Sequence, residues 1–269
     1  LGFYLVILLM KYQELIDIRM NKKYYLNKAK YLEGKTISEA LPNLKTEYSD
    51  NRRITKSVFA NFVEKEYFNL DLNSYSRPDF EDVSLELKTS GIHFINSKGI
   101  YNAKERLVLT QIDYYDVIEQ EHWMDNKHLK KIFNILFVLY LYEKAPKKFE
   151  DFQIVHSFIW EPSNKQIDWM QRDYEVIRNK ILKGHIISER DTDFLGNCPR
   201  HGGGYNKHNP SLSESGAIAK HPRRDFAERR AFCIKQRAFD HIIASSLNLE
   251  VRSVKGSIGL FKHDYPNFK

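Results

Sequence analysis

The chain has 269 residues, of which 42% are hydrophobic and 29% are charged, a balance that excludes a disordered protein and allows one large domain or two lobes. The formal net charge is +7, and residues 181–269 hold 15 Lys and Arg against 9 Asp and Glu. A basic excess concentrated in one segment indicates a polyanionic partner, most commonly nucleic acid, or else a solvated basic face.

The first ten residues, LGFYLVILLM, are apolar but too few to cross a bilayer, which needs about 20. They lack the basic start and the small-residue cleavage site of a secretory signal. Residues 1–19 are therefore expected to be either an upstream extension or a minor packing helix. Because the apolar start is too short, no membrane partner is expected. The two cysteines, Cys198 and Cys233, form no regular framework, which favours free thiols and a cytoplasmic location.

Helical patterns come first along the chain. Residues 24–33 are predicted to form a helix that ends at Gly34, and a short second helix is predicted over residues 36–41. The GKT sequence that starts at this glycine is similar to the end of a phosphate-binding loop. Ala29 stands where that motif requires Gly, so the phosphate-loop interpretation fails.

The middle of the chain is predicted to form a central sheet. In residues 83–88, VSLELK, three apolar residues alternate with Ser84, Glu86 and Lys88, which indicates a strand with Glu86 and Lys88 on one face. The continuously apolar run Ile132–Glu143 is predicted to be a buried central strand or strand pair, or alternatively a buried helix. Further predicted elements are helices at 56–68, 167–182 and 225–247, strands at 106–115 and 152–160, a hairpin at 185–198 and a loop at 201–216. This order predicts an α/β fold with a central sheet and outer helices.

Around residues 83–88 the residue types suit phosphodiester hydrolysis. That reaction needs a nucleophilic water and a cation at the scissile phosphate, and Mg²⁺ is held through one or two carboxylates. Asp79 and Glu86 can supply the carboxylates and Leu87 a carbonyl oxygen, while Lys88 can hydrogen-bond the attacking water or neutralise the phosphate. The triplet alone is frequent by chance, and ordinary surface charges at a strand edge are the other interpretation.

Six segments extend the pattern beyond the triplet: FVEKEYF (62–68), NSYSRPDFEDVSLELKTS (73–90), YLEGKTISEA (31–40), AKERLVLT (103–110), LGNCPR (195–200) and RAFCIKQRAF (230–239). In this combination the chain resembles the MutH/Sau-type endonuclease family, whose mismatch-repair and restriction members cut at GATC. The resemblance implies a restriction-endonuclease-like α/β fold, with a central mixed sheet flanked by helices and two lobes that form a DNA-binding cleft. It implies one endonuclease domain over residues 20–269, with a catalytic lobe to about residue 160 and a DNA-reading lobe beyond it.

The resemblance also implies roles for the acidic residues and the lysine. Asp79 and Glu86 are expected to bind the metal, Lys88 to be the catalytic lysine, and Glu64 to be an accessory acidic residue near the metal. Glu66 is the alternative to Glu64, because the register of that helix is ambiguous.

Lys and Arg give DNA affinity through phosphate contacts, and Arg is the commonest reader of guanine. The resemblance implies that the DNA site is read from LGNCPRHGG and from the region around RAFCIK, so Arg200 is predicted to contact guanine. Further DNA contacts are predicted at Lys207, Lys235, Arg237 and Lys104. Lys104 is equally well explained as a solvated loop lysine or as a residue that approaches the active site.

Mismatch-repair members carry an aromatic residue at the position of Cys233, so this chain departs from them and matches the restriction branch. Cys198, His201, His208 and Cys233 have the ligand types of a zinc site but not its usual spacing, so packing cysteines are favoured.

The sequence therefore predicts a type II restriction endonuclease that cuts double-stranded DNA at GATC with Mg²⁺. A mismatch-repair nickase and a non-catalytic DNA-binding module are the alternatives, and the intact acidic residues and lysine argue against the second. A palindromic site suits a homodimer on DNA. Because restriction relatives can carry a second, non-catalytic copy of the domain, the chain is either a complete enzyme or the catalytic half of a longer one.

Overall fold

The computed structural model of the protein describes residues 16, 20–40, 56–71, 77–130, 133–143, 151–200, 206, 208–209, 215–255 and 257–261. The strands are β1 (Glu86–Ile95), β2 (Ile100–Ala103), β3 (Leu107–Gln111), β4 (Ile135–Leu141), β5 (Ile154–Trp160), β6 (Leu195–Pro199), β7 (Ile218–His221), β8 (Arg224–Glu228), β9 (Arg230–Ile234), β10 (Arg252–Val254) and β11 (Ser257–Phe261). The helices are α1 (20–30), α2 (Ile37–Ala40), α3 (Lys56–Asn61), α4 (Tyr114–Glu119), α5 (Lys127–Lys130), α6 (Asn164–Leu182) and α7 (Gln236–Ser246).

The chain divides into two compact units, each assembled from separate stretches. Unit 1 contains Leu1–Lys104, Asn134–Glu161 and Arg252–Lys269, and unit 2 contains Glu105–Phe133 and Pro162–Val251. The predicted lobes met at about residue 160, and that division stays a prediction.

Unit 1 is built around a six-stranded sheet with the order β10-β11-β2-β1-β4-β5. β1 and β4 are parallel, and the other neighbouring strands are antiparallel, so the sheet is mixed. Residues 135–140 of β4 are all buried, which is why the run Ile132–Glu143 is continuously apolar and confirms the predicted central strand.

One face of β1 and β4 carries the apolar core of unit 1. Leu85 and Leu87 are fully buried there, together with Phe62 from the turn after α3 and Leu32 from the turn after α1. The helix predicted over residues 24–33 is α1, which ends at residue 30, before the predicted stop at Gly34. Residues 31–34 form a turn, and the φ of +81° at Gly34 is a left-handed value that glycine adopts without steric cost.

Unit 2 contains an antiparallel three-stranded sheet, β3-β9-β6, and a separate two-stranded hairpin of β7 and β8. Helix α6 packs on this sheet, with the ring of Tyr174 stacked on that of Phe232 at 5.9 Å between centroids. The helix starts with a capping box, because Ser163 and Gln166 each bond the other's backbone N–H. The helix predicted over residues 167–182 is thereby confirmed.

Two predictions for unit 2 are wrong. The long helix predicted over residues 225–247 is two strands, β8 and β9, followed by α7. All five residues of β9 are buried between β3 and β6, so pairing with distant strands overrides the local helix propensity of Ala, Arg and Glu. The hairpin predicted over residues 185–198 is a loop and the single strand β6, which pairs with β9.

Several element boundaries differ from the predictions, most clearly at three places. β1 begins at Glu86, not at residue 83, because residues 81–83 form a 3₁₀ turn. The predicted strand over residues 106–115 ends at Gln111, and α4 starts soon afterwards where Asp113 caps it by accepting backbone N–H groups. The helix predicted over residues 56–68 changes from α to π geometry at Phe62.

The α/β fold class is confirmed, with a mixed central sheet flanked by helices. Within the described part of the chain, no helix has the length and apolar character needed to cross a membrane. The predicted segment at residues 1–19 lies outside the described residues except for Ile16, and most of the predicted loop at 201–216 also lies outside them.

Candidate active site

A tight loop between the two candidate metal ligands explains their spacing in the sequence. Phe80 and Leu85 exchange two backbone hydrogen bonds of 2.9 and 3.1 Å, which close the loop over the 3₁₀ turn. Ser84 completes the reversal with a φ of +50°, in the left-handed region. The chain before the loop therefore runs back beside β1, and Asp79 lies next to the start of that strand.

Asp79 is fixed against the edge of β1. Its Oδ2 accepts a hydrogen bond of 2.8 Å from the backbone N–H of Leu87. The neighbouring Glu86 donates its N–H to the carbonyl of Asn134, towards β4, so the backbone groups of Leu87 point to the opposite edge of β1. Because the N–H and C=O of one strand residue share an edge, the Leu87 carbonyl faces the same side as Asp79.

Glu86 and Lys88 project from the face of β1 opposite the buried Leu85 and Leu87, as the alternation predicts. Glu86 is 1% exposed, and its Oε1 accepts a hydrogen bond of 2.5 Å from the Lys88 ammonium. Burial lowers the pKa of Lys88, but the adjacent Glu86 carboxylate, followed by Asp79 and Glu64, raises it above its ordinary value. Lys88 is therefore a cation surrounded by carboxylates.

A π-helical turn, Phe62–Tyr67, carries the accessory acidic residue. Its wide hydrogen bonding is seen in the Phe68 N–H, which bonds the Val63 carbonyl five residues back at 3.0 Å. Glu64 is half-buried and is one of the charges that raise the pKa of Lys88. Glu66 is exposed and pairs at 3.7 Å with its neighbour Lys65, so the structure brings Glu64 towards the site and leaves Glu66 at the surface.

The donor set suits a hard divalent cation. Two carboxylates and one carbonyl are oxygen ligands, and Mg²⁺ takes few protein ligands while it keeps several waters. No group of three or more His, Cys, Asp or Glu side chains suited to hold a metal occurs among the residues described.

Lys104 lies in the same unit, directly after β2. Its backbone N–H bonds the Gly91 carbonyl of β1 at 2.9 Å, and its ammonium lies 3.5 Å from the ring centroid of Tyr142. This cation–π contact holds the side chain in one place, and sequence reasoning missed it because Tyr142 is distant in the chain.

The predicted DNA-reading residues of unit 2 have different environments. Arg200 is exposed at the end of β6, where its N–H bonds the Arg229 carbonyl at 2.8 Å. Arg237 is exposed in the first turn of α7. Lys235 donates to the backbone carbonyls of residues 189 and 192 at 3.1 and 2.5 Å, so its ammonium fastens that loop. Lys207 lies outside the described residues.

One arginine of the basic segment is not available at the surface. Arg230 is 9% exposed, donates to Asn197 Oδ1 at 2.7 Å and forms an ion pair with Glu228. Because its charge is already balanced within the protein, Arg230 supports the sheet and does not add to the basic surface. Sequence patterns do not indicate this environment, because Asn197 lies 33 residues away on β6.

The two cysteines are buried beside each other on the face of the sheet that holds Ala231. A hydrogen bond from Cys233 lowers the pKa of Cys198 to about 7 against the opposing effect of burial, and Arg106 lowers it further. The pKa of Cys233 is raised by the same hydrogen bond and by burial. Of the two histidines considered for zinc, His208 is exposed and His201 lies outside the described residues.

Comparison with known proteins gives one family. A family model described as the DNA mismatch repair enzyme MutH matches residues 68–173. The matched stretch contains Asp79, Glu86, Lys88 and Lys104, and it ends before β6. No curated protein matches the chain.

Proposed function

We propose, because the chain belongs to the MutH/Sau-type endonuclease family, that it is a Mg²⁺-dependent type II restriction endonuclease that cuts double-stranded DNA at GATC. Family membership makes it a DNA endonuclease of the MutH or restriction type; the metal, the recognition sequence and double-strand cutting are parts of the proposal. One observation carries it. The loop before β1 brings Asp79, Glu86 and Lys88 together at one strand end.

In this proposal Asp79, Glu86 and the Leu87 carbonyl hold Mg²⁺, which supplies a nucleophilic water at neutral pH and stabilises charge on the phosphate. Lys88 is proposed to act as a hydrogen-bond donor, because its carboxylate neighbours raise its pKa. Its ammonium orients the attacking water or neutralises the phosphate as negative charge develops there. Glu64 adds to the negative field that keeps the ammonium charged.

DNA contacts are assigned to unit 2 and to Lys104. Arg200 is proposed to read guanine, because it is exposed at a strand end whose backbone is held by hydrogen bonds. Arg237, Lys207 and Lys104 are proposed as further contacts. Lys235 of unit 2 is also proposed as a DNA contact. In the structure its ammonium binds two loop carbonyls.

The restriction activity is favoured over the mismatch-repair nickase by Cys233. This position is buried in the sheet, so it holds a small packing residue and presents no aromatic side chain to DNA. A palindromic site suits two copies of the chain, each of which would cut one strand. A homodimer that assembles on DNA, in the cytoplasm, is therefore part of the proposal.

The test is cleavage of a plasmid of known sequence by the purified chain, in Mg²⁺ and in EDTA, with sequencing of the ends. Linear fragments that end at GATC only in Mg²⁺ support the proposal, whereas nicked circles support the nickase. Glu86→Gln should abolish cutting and retain DNA binding, and the matched surface change Glu66→Gln should cut normally. Intact plasmid across a range of salt and Mg²⁺ concentrations refutes the proposal.

A further inference from the structure

The β7–β8 hairpin exposes a cationic and aromatic surface that the proposed active site does not use. Lys220 and Arg223 are exposed at and near its turn, and Phe226 on β8 is 40% exposed. A single exposed apolar side chain is common at protein surfaces, so the charged residues around Phe226 must indicate the ligand. Asp225 is the exposed acidic residue of this ribbon, so cations predominate there.

The inner side of the hairpin is anchored within unit 2. His221 is buried, its ring lies tilted against that of Tyr114 at 4.9 Å between centroids, and its Nδ1 accepts a hydrogen bond of 3.1 Å from the Arg223 N–H. The Tyr114 hydroxyl donates to the Glu228 carbonyl at 2.6 Å. These contacts fix the inner side of the ribbon on α4 and leave the outer side, with Lys220 and Phe226, at the surface.

Backbone hydrogen bonds connect this hairpin to the strand end that carries Arg200. The Arg200 N–H bonds the Arg229 carbonyl, and the Arg229 N–H bonds the carbonyl of Ala217, each at 2.8 Å. Ala217 directly precedes β7, and Arg229 directly follows β8. The ribbon and Arg200 therefore belong to one hydrogen-bonded assembly, and a ligand bound at Arg200 would lie close to the base of the ribbon.

We propose that the outer side of the β7–β8 hairpin is a second contact surface for double-stranded DNA, with Lys220 and Arg223 on phosphates and Phe226 packed against the sugar or base edge. This inference rests on the proposed function. A two-stranded ribbon fits the major groove of B-DNA, and cations on a ribbon complement phosphate. Lys220 and Arg223 suit the phosphates of DNA, and the exposed ring of Phe226 suits the apolar edges of its sugars and bases.

The test uses the full chain in EDTA, so that binding is measured without cutting. The double variant Lys220→Gln/Arg223→Gln should bind a GATC duplex about 10- to 100-fold more weakly, and the slope of log K against log[salt] should fall by about 2, since two phosphate contacts are lost. Phe226→Ala should weaken binding about 3- to 10-fold without changing the slope. Lys130→Gln, an exposed change on α5, is the control and should leave both quantities unchanged.

Thermal unfolding of each variant separates loss of contact from loss of structure. An unchanged melting temperature with a reduced salt slope supports the hairpin surface. If the double variant binds like the control, or weakens binding only in proportion to a lower melting temperature, the hairpin inference is wrong while the endonuclease proposal stands. If the unaltered chain fails to bind duplex DNA in any salt, both the inference and the proposed function are wrong.

Discussion

Removing one partner of the Glu86–Lys88 ion pair is expected to lower the free energy of unfolding. Glu86 is 1% exposed, and the Lys88 side chain is 24% exposed, so Lys88→Met leaves a carboxylate with little solvent. Loss of one partner of a fully buried pair costs about 3 to 5 kcal/mol, and the partial exposure of Lys88 reduces the expected cost to about 2 to 4 kcal/mol. Both partners replaced together, in Glu86→Leu/Lys88→Met, should recover most of that loss, because no charge then remains without its counterpart.

The assay is urea unfolding in EDTA, monitored by tryptophan fluorescence. The variants Lys88→Met, Glu86→Leu and Glu86→Leu/Lys88→Met form a double-mutant cycle with the unaltered chain. The exposed pair of Arg77 and Glu81 provides a control, since Glu81→Gln should change stability by less than about 1 kcal/mol. If the effects of Lys88→Met and Glu86→Leu on the unfolding free energy simply add in the double variant, the two residues are not coupled and the predicted cost of the unpaired charge is refuted. All variants of the pair should fail to cut DNA, including a double variant as stable as the original, which separates catalysis from stability.

Three further predictions concern the backbone at Ser84, the buried side chain of His221 and the close packing around Gly196. Ser84→Gly should leave the unfolding free energy within about 0.5 kcal/mol, whereas Ser84→Val should lower it by about 1 to 2 kcal/mol, because the φ of Ser84 is +50°. Thermal melts of both variants check this, and equal melting temperatures would contradict it. Burial, followed by the charge of Arg224, lowers the pKa of His221. The unfolded chain therefore binds more protons, and stability should fall as pH drops below about 6.5. Urea midpoints from pH 5 to 8 should depend less on pH in His221→Asn, and identical pH profiles of the variant and the unaltered chain would contradict the assignment. Gly196→Val should cost about 1 to 3 kcal/mol, because even a Cβ would lie 2.9 Å from Lys235 Cγ; an unchanged unfolding midpoint would show that the sheet relaxes freely.

The candidate site was predictable because its determinants are local. Asp79, Glu86 and Lys88 lie within ten residues, and period-two alternation was enough to place the last two on one face. The turn that returns Asp79 to the strand depends on Ser84 in the left-handed backbone conformation. A glycine at that position would have indicated such a turn, but a serine does not. The strand start was accordingly predicted three residues too early, although the apolar positions proved to be buried.

The parts that were not predictable depend on distant partners. Residues 225–247 contain good helix formers, and only the strands β3 and β6, from far along the chain, make β9 a buried strand. Arg230 shows the same limit at the level of one side chain. Its hydrogen bond to Asn197, 33 residues away on β6, helps to hold it inside the sheet, and no local pattern indicates that pairing.

The interleaved division of the chain has a consequence for its synthesis and dissection. β11 pairs with β2, so the sheet that carries Glu86 gains its final strands only when residues 252–261 have left the ribosome. Until then β2 has an open edge, which is the kind of strand that pairs with other chains and aggregates. A cut at any one peptide bond likewise fails to release a whole unit: a fragment of residues 162–251 would lack β3, and one that stops at residue 161 would lack β10 and β11. Isolating either unit would require a rearranged gene that joins its separated stretches through new linkers.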